Sequence, residues 1–148
     1  CNVEGVQIKW PNDIYVHNRK IAGILIENIW SGSKLSAAIV GIGLNVNQIE
    51  FGDINGTSIL RETGSSENIA NLLSLVYNCF YERTEMSSKK LLDCVNDNMF
   101  RKGENVTFEI DGRMEVYKVI GVNLNGNLSV SRDDKILELE HHKVKWII

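Results

Sequence analysis

The 148-residue chain is expected to fold as an α+β protein: a partial antiparallel or mixed sheet with helices, followed by a small β-barrel. Three observations carry this expectation. Short alternating runs separated by turn signals fill the chain up to Leu44, and apolar residues at helical spacing begin at Ile69. After Arg101-Lys102-Gly103 the short alternating runs return. A boundary near residue 102 follows, giving units 1–101 and 102–148.

Gln7-Ile8-Lys9-Trp10 alternates as a half-buried strand should, and Pro11-Asn12-Asp13 stops it with type I turn chemistry. Ile14-Tyr15-Val16 resumes an extended run, His17-Asn18-Arg19 predicts a tight hairpin, and a longer strand runs from about Lys20 to Ile29. Ser31-Gly32-Ser33 turns the chain before a strand from Leu35 to Leu44. Such short connections leave no room for helical crossovers, so the strands form an antiparallel meander. From Ile49 to Gly64 the periodicity fails, as in a long loop with a functional role.

Ile69, Leu72, Leu73, Val76, Tyr77 and Phe80 then share one helical face, after a serine-rich start suited to capping. Leu91, Leu92, Val95 and Met99 predict a second, shorter helix, and both stripes are expected to face a core. Val106, Phe108 and Ile110 alternate, with turns at Asp111-Gly112 and Asn125-Gly126. Further strands are expected over 114–122, 128–130, 136–139 and 144–148. Five short strands in this span suit a closed barrel, because closure removes exposed edges.

A formal net charge of −3 argues against a general nucleic-acid binder, which would present a basic face. No apolar run approaches the roughly 20 residues that cross a bilayer, and the opening residues lack the pattern of a signal peptide. Cys1, Cys79 and Cys94 form an odd set without CxxC spacing, which argues against a disulfide framework or a zinc site. Cys79 and Cys94 are expected as buried free thiols in a reducing, cytoplasmic setting. The absence of an initiator methionine leads to the expectation that the sequence begins inside a longer chain. His17, His141 and His142 are expected to face solvent, and no Ser-His-Asp arrangement is present.

Polar residues concentrate in Lys9-Trp10-Pro11-Asn12-Asp13-Ile14 and Arg19-Lys20-Ile21-Ala22-Gly23, with a second cluster in Gly41-Ile42-Gly43-Leu44-Asn45-Val46-Asn47. Strand alternation puts Gly41, Gly43 and Asn45 on one face and Ile42, Leu44 and Val46 on the other. A bare glycine floor suits either a closely packed helix or a ligand, and both readings stand at this point. Lys20 could offer a point charge to a carboxylate or phosphate beside that floor, or lie in solvent as hairpin lysines do. Regular alternation puts Lys20 and Gly23 on opposite faces, so they share a site only if Lys20 still belongs to the turn. Asn12 and Asp13 are either simple turn residues or groups that serve a nucleotide and its magnesium.

Taken together, KWPNDI, RKIAGILIE and GIGLNVN resemble the catalytic domain of the biotin protein ligases (biotin–[acetyl-CoA carboxylase] ligases), in this order and at fitting spacing. Asn55-Gly56-Thr57-Ser58-Ile59-Leu60 resembles that family's loop before its helical segment, and the terminal strands resemble its SH3-like C-terminal domain. The resemblance covers essentially the whole chain. It implies a class II synthetase-like catalytic fold, incomplete here, in residues 1–101, with the SH3-like domain in 102–148.

The implied chemistry has two steps. Biotin and MgATP give biotinyl-5′-AMP and pyrophosphate, and a lysine of a biotin carboxyl carrier protein, an acetyl-CoA carboxylase subunit, then attacks the mixed anhydride. By motif, Lys20 would hold the carboxylate and phosphoryl oxygens, with Lys9 as a supporting catalytic charge. Gly23, Gly41 and Gly43 would line the biotin slot together with Lys20. Asn12, Asp13 and Asn45 would serve ATP, and magnesium would arrive with ATP and meet Asp13, without a metal site of the protein's own. The nucleophile comes from the acceptor, which accounts for the lack of an activated serine or cysteine.

The family's glycine- and arginine-rich phosphate loop, and its serine/threonine and glutamine contacts to biotin, have no counterpart here. The resemblance therefore implies the C-terminal part of a ligase, inactive without an N-terminal half that would be its partner. A homodimer through the catalytic sheet is expected from the family alone. Two alternatives stand beside this: a non-catalytic, truncated interaction module and a lipoate ligase, which the KWPND block and the barrel disfavour.

Overall fold

The computed structural model describes residues 2–148 and divides into two compact units. One comprises the chain up to Gln7 and Asn12–Val76; the other comprises Ile8–Pro11 and Tyr77–Ile148.

Strands β1 (Val6–Lys9), β2 (Asp13–Val16), β3 (Arg19–Ser31) and β4 (Lys34–Leu44) form a four-stranded sheet in chain order. The β2–β3 and β3–β4 pairs are antiparallel, as the short turns demand. His17 and Asn18 both adopt positive φ, the backbone hand that matches strand twist in a two-residue hairpin. The Trp10–Pro11 peptide is cis, and the chain turns over residues 10–12, where Pro-Asn-Asp was expected to end the strand.

The expected irregular stretch from Ile49 to Gly64 is more ordered than its composition suggests. Its end forms a short helix, α1 (Ile59–Thr63), whose N-cap Ser58 accepts a hydrogen bond from the Arg61 amide. Ser58 Oγ also donates to the Gln48 carbonyl at 2.6 Å, and Thr57 and Ser58 are fully buried. The hydrogen bonds of these hydroxyls take the place of an apolar pattern, which is why periodicity missed the helix. The core beneath this sheet gathers Val16, Ile21, Ala22, Ile59 and Leu72.

Helix α2 (Ile69–Thr84) starts where expected, but its first turn is capped by Asn68, whose Oδ1 accepts from the Asn71 amide, and not by the serines. Its stripe is not a core surface: Leu72 alone is buried, while Ile69, Leu73, Tyr77 and Phe80 are exposed. Between Leu73, Val76 and the β4 residues Val40 and Ile42 lies an apolar groove of about 350 Å³, so helix and strand line a gap instead of closing on each other. Helix α3 (Ser88–Asp97) is capped by Ser87 and ends before Met99, which was expected inside it. Met99 is buried nonetheless, and pairs with Ile8 in a parallel bridge. Cys79 and Cys94 are both exposed, against expectation; Cys1 lies outside the described residues.

The remaining strands are β5 (Asn105–Ile110), β6 (Arg113–Val122), β7 (Leu128–Arg132), β8 (Lys135–Leu139) and β9 (Val144–Ile147). They form one antiparallel sheet in the order β8-β7-β6-β5-β9. Alternation buries Val106 and Phe108, Tyr117 and Val119, and Leu128 and Val130, as expected. The Trp146 ring meets Phe108 edge-on at 4.8 Å and Phe100 at 6.0 Å, and Trp10 Nε1 donates to the Gly126 carbonyl at 2.8 Å. A closed barrel was expected; the described pairings instead leave β8 and β9 as the two edges. No helix among the described residues is long and apolar enough to cross a membrane.

Helix α3 is tied to β6 by one side chain. Asn96 Nδ2 donates to the Val122 carbonyl at 3.0 Å, and the Val122 amide donates to Asn96 Oδ1 at 2.7 Å, so the side-chain amide imitates a neighbouring strand. A Cβ on Gly121 would lie 2.6 Å from Asn96 Oδ1. Gly121→Ala is therefore expected to lower stability by about 1–3 kcal/mol, measured by urea unfolding. Gly56 is similar: a Cβ there would meet the Phe51 ring at 2.5 Å. Gly56→Ala should lower the thermal midpoint by a few degrees, and Phe51→Ala in the same chain should recover part of it.

Candidate functional site

The register of β2 against β3 decides where Lys20 points. Asp13 pairs with Gly23 and Ile14 with Ala22, but Tyr15 pairs with Lys20, so Ile21 is an extra residue, a β-bulge. Ile21 and Ala22 are consequently both buried on the core side. Lys20 is thrown to the face of Gly23, and a Cβ on Gly23 would lie 3.2 Å from Lys20 Nζ. The parity conflict between Lys20 and Gly23 is resolved by the bulge inside the strand, not by extension of the turn.

Lys20 is held at its backbone as well. β4 pairs with β3 only as far as Ala22, opposite Leu44, and beyond it the Asn45 amide donates to the Ile21 carbonyl. The loop 55–57 then takes over the vacated edge. The Lys20 amide donates to the Asn55 carbonyl at 3.1 Å, and the Thr57 amide donates to the Lys20 carbonyl at 2.8 Å. Asn45 Nδ2 donates to the Thr57 carbonyl at 3.0 Å, so this asparagine fastens the loop that fastens Lys20.

On the open face, Lys20 Nζ sits 2.6 Å from Asp13 Oδ1. Asn12 pins the preceding turn: its Nδ2 donates to the Ile24 carbonyl at 2.9 Å, and its own carbonyl accepts from the Ile24 amide at 2.8 Å. Gly23 pairs with Gly43, and Leu25 with Gly41, so the three glycines share one sheet face. A Cβ on Gly41 or Gly43 would meet nothing closer than ordinary van der Waals contact. Among the described residues of this unit, no helix is packed on the glycine floor.

Asn12, Asp13, Lys20, Gly23, Gly41 and Gly43 all line one open cleft of about 400 Å³. Of the other expected site residues, Asn45 is spent on the loop, and Lys9 belongs to the second unit, with Nζ 5.6 Å from the Trp146 ring centre. Burial, and after it the Asp13 carboxylate, push the Tyr15 phenol above its usual range, which keeps it neutral. No group of three or more His, Cys, Asp or Glu side chains among the described residues could hold a metal ion. His17, His141 and His142 are exposed, as expected.

Sequence patterns gave no warning of Arg19, Thr57 and Glu62. Thr57 Oγ1 donates to Glu62 Oε1, and Arg19 Nη2 donates to the same oxygen at 2.9 Å. The buried hydroxyls stood in a stretch read as loop, and no spacing rule connects residues 19 and 62.

Residues 3–45 match the Biotin/lipoate A/B protein ligase family. The bifunctional ligase/repressor BirA of Bacillus spizizenii is 37% identical over 87 residues, which cover 53% of this chain and 26% of that protein. The biotin–[acetyl-CoA-carboxylase] ligase of Paracoccus denitrificans is 37% identical over 79 residues, covering 49% of this chain and 33% of that protein. Among solved structures, the apo biotin protein ligase from Aquifex aeolicus superposes with a TM-score of 0.78 at 27% identity, over 96% of this chain and 65% of that one. The same ligase in complex with biotin and ATP gives 0.77, over 62% of its chain. This chain thus spans less than two thirds of the relatives it matches. The three glycines and Lys20 of the cleft lie inside the family-matched segment, and the fold agrees over nearly all the described residues. By sequence in residues 3–45 and by fold over nearly its whole length, the chain is similar to the biotin protein ligases.

Proposed function

We propose that the cleft is the acyl-adenylate site of a biotin protein ligase: it activates biotin with ATP and presents biotinyl-5′-AMP to a lysine of a biotin carboxyl carrier protein. One observation supports this: an ammonium group, paired with a single carboxylate, stands over a strand face that is bare of side chains at Gly23, Gly41 and Gly43 and bordered by Leu25. A flat ring system can lie against bare peptide planes, and Lys20 is placed to take the carboxylate at its edge.

In the first step a biotin carboxylate oxygen attacks the α-phosphorus of ATP. The acyl oxygen–phosphorus bond forms, the bridge to the β-phosphate breaks, and pyrophosphate leaves. Lys20 exchanges Asp13 for the carboxylate and then the phosphoryl oxygens, stabilising charge as it develops. In the second step the carrier lysine amine attacks the acyl carbon, and AMP leaves with the bonding electrons. Asp13 is the one carboxylate among the described residues lining the cleft. A Mg²⁺ arriving with ATP fits one carboxylate plus phosphate oxygens, and when bound it neutralises phosphate charge. Asn12 and Asn45 serve ATP in this scheme by holding the turn and the loop that shape the cleft; Lys9 remains the supporting charge. Division of the chain at residue 102 is part of the same proposal.

A second reading, a binding module without chemistry, draws on a different observation. Lys20 is the only cation among the described residues lining the cleft, which is little for a nucleoside triphosphate. Biotin-dependent ATP–pyrophosphate exchange separates the two, run on this chain alone and with a separately supplied upstream half of the ligase. Exchange in either arm that falls by at least about 100-fold in Lys20→Ala is expected for the ligase. Silence in both arms would favour the binding module. Gly43→Val should leave stability within about 0.5 kcal/mol of the parent, because the added Cβ meets only the Gly23 carbonyl, at an ordinary 3.8 Å. The same change should abolish biotin binding in calorimetry.

A further inference from the structure

Glu62 lies on α1, away from the residues that line the cleft, yet its side chain is only 8% exposed. A buried carboxylate is costly unless it is fully paired, so its partners reveal what it is there to hold. Both known partners converge on one oxygen, Oε1: the hydroxyl of Thr57 and the guanidinium of Arg19. Neither belongs to α1. Arg19 immediately precedes Lys20, and Thr57 is the residue whose amide donates to the Lys20 carbonyl. The carboxylate therefore joins the strand before Lys20 to the loop beside it, by charge-assisted bonds that are stronger and more directional than neutral ones.

We propose that Glu62 is a positioning residue: it clamps the main chain of Lys20 from two sides and so fixes where the ammonium stands over Gly23. The inference rests on Lys20 as the ligand-holding group, as proposed above, but the clamp itself concerns only this chain. Without the clamp, the bulge at Ile21 can relax and Nζ leaves Asp13 more often. The ammonium end of the ion pair is 41% exposed, so a small reagent can reach it.

Two variants test this: Glu62→Gln, which keeps an acceptor for Thr57 but loses the charge, and Arg19→Met, at a more open position. Trace acetylation by acetic anhydride, read by mass spectrometry, reports the availability of Lys20, with exposed Lys34 at the far hairpin end as the internal standard. Lys20 should label at least about threefold faster in both variants while Lys34 is unchanged, as follows from loss of a charged hydrogen bond. Unchanged Lys20 labelling in variants whose circular dichroism matches the parent would overturn the proposal. If Glu62→Gln does not fold, Arg19→Met decides alone.

Pyrophosphate exchange supplies the second readout. Where the parent exchanges, kcat should fall by about tenfold in Glu62→Gln with little change in KM for ATP, and the effect should vanish in a Lys20→Ala background. A loss that adds fully to Lys20→Ala would mean Glu62 does not act through Lys20. Faster Lys20 labelling in a chain that shows no exchange would support the clamp and count against the ligase activity alone.

Discussion

Side chains on a strand alternate strictly, and that constraint governs this site. Lys20 and Gly23 stand at odd separation and would point to opposite faces of any regular strand. The unpaired Ile21 removes one step from the alternation, which lets two consecutive apolar residues reach the core while the lysine turns to the open face. A bulge by itself is a weak point in a ladder. Here the loop 55–57 replaces the bonds that β4 no longer supplies, and Asn45, Thr57 and Glu62 secure that loop. Short range order in Ser58 and α1 follows from the same need.

Much of this was legible in the residues. Hairpin positions His17 and Asn18, the glycine face of β4, and the alternation of β5 to β7 all follow from local rules whose causes lie within a few residues. What could not be read are the long-range features. Thr57 and Ser58 look like loop polar residues until their hydroxyls find Glu62 and Gln48, and nothing in composition announces that burial. The α2 stripe has the right period for a core, yet a period says only that one face is apolar, not that anything covers it. Cys79 and Cys94 illustrate the same gap: residue type predicts burial on average, while what packs on the helix decides it in each case.

The two halves of the polar constellation prove unequal. Asn12, Asp13, Lys20 and the glycines line one cleft, but Asn12 and Asn45 spend their amides on main-chain carbonyls. Turn residue and site residue are thus not competing descriptions. Asn12 holds the turn in register with Ile24, and that register is what sets Asp13 beside Lys20. The ion pair itself is half open to water and contributes little to stability.

The floor beneath Lys20 is built from main-chain atoms at Gly23, Gly41 and Gly43. Such a wall has no side chain to lengthen, shorten or recharge. Amino-acid replacement can only obstruct it, so drift at these three positions has one direction, from permissive to closed. Any gradual change in the shape of the cleft must therefore come from its rim, where Asp13, Lys20 and Leu25 stand.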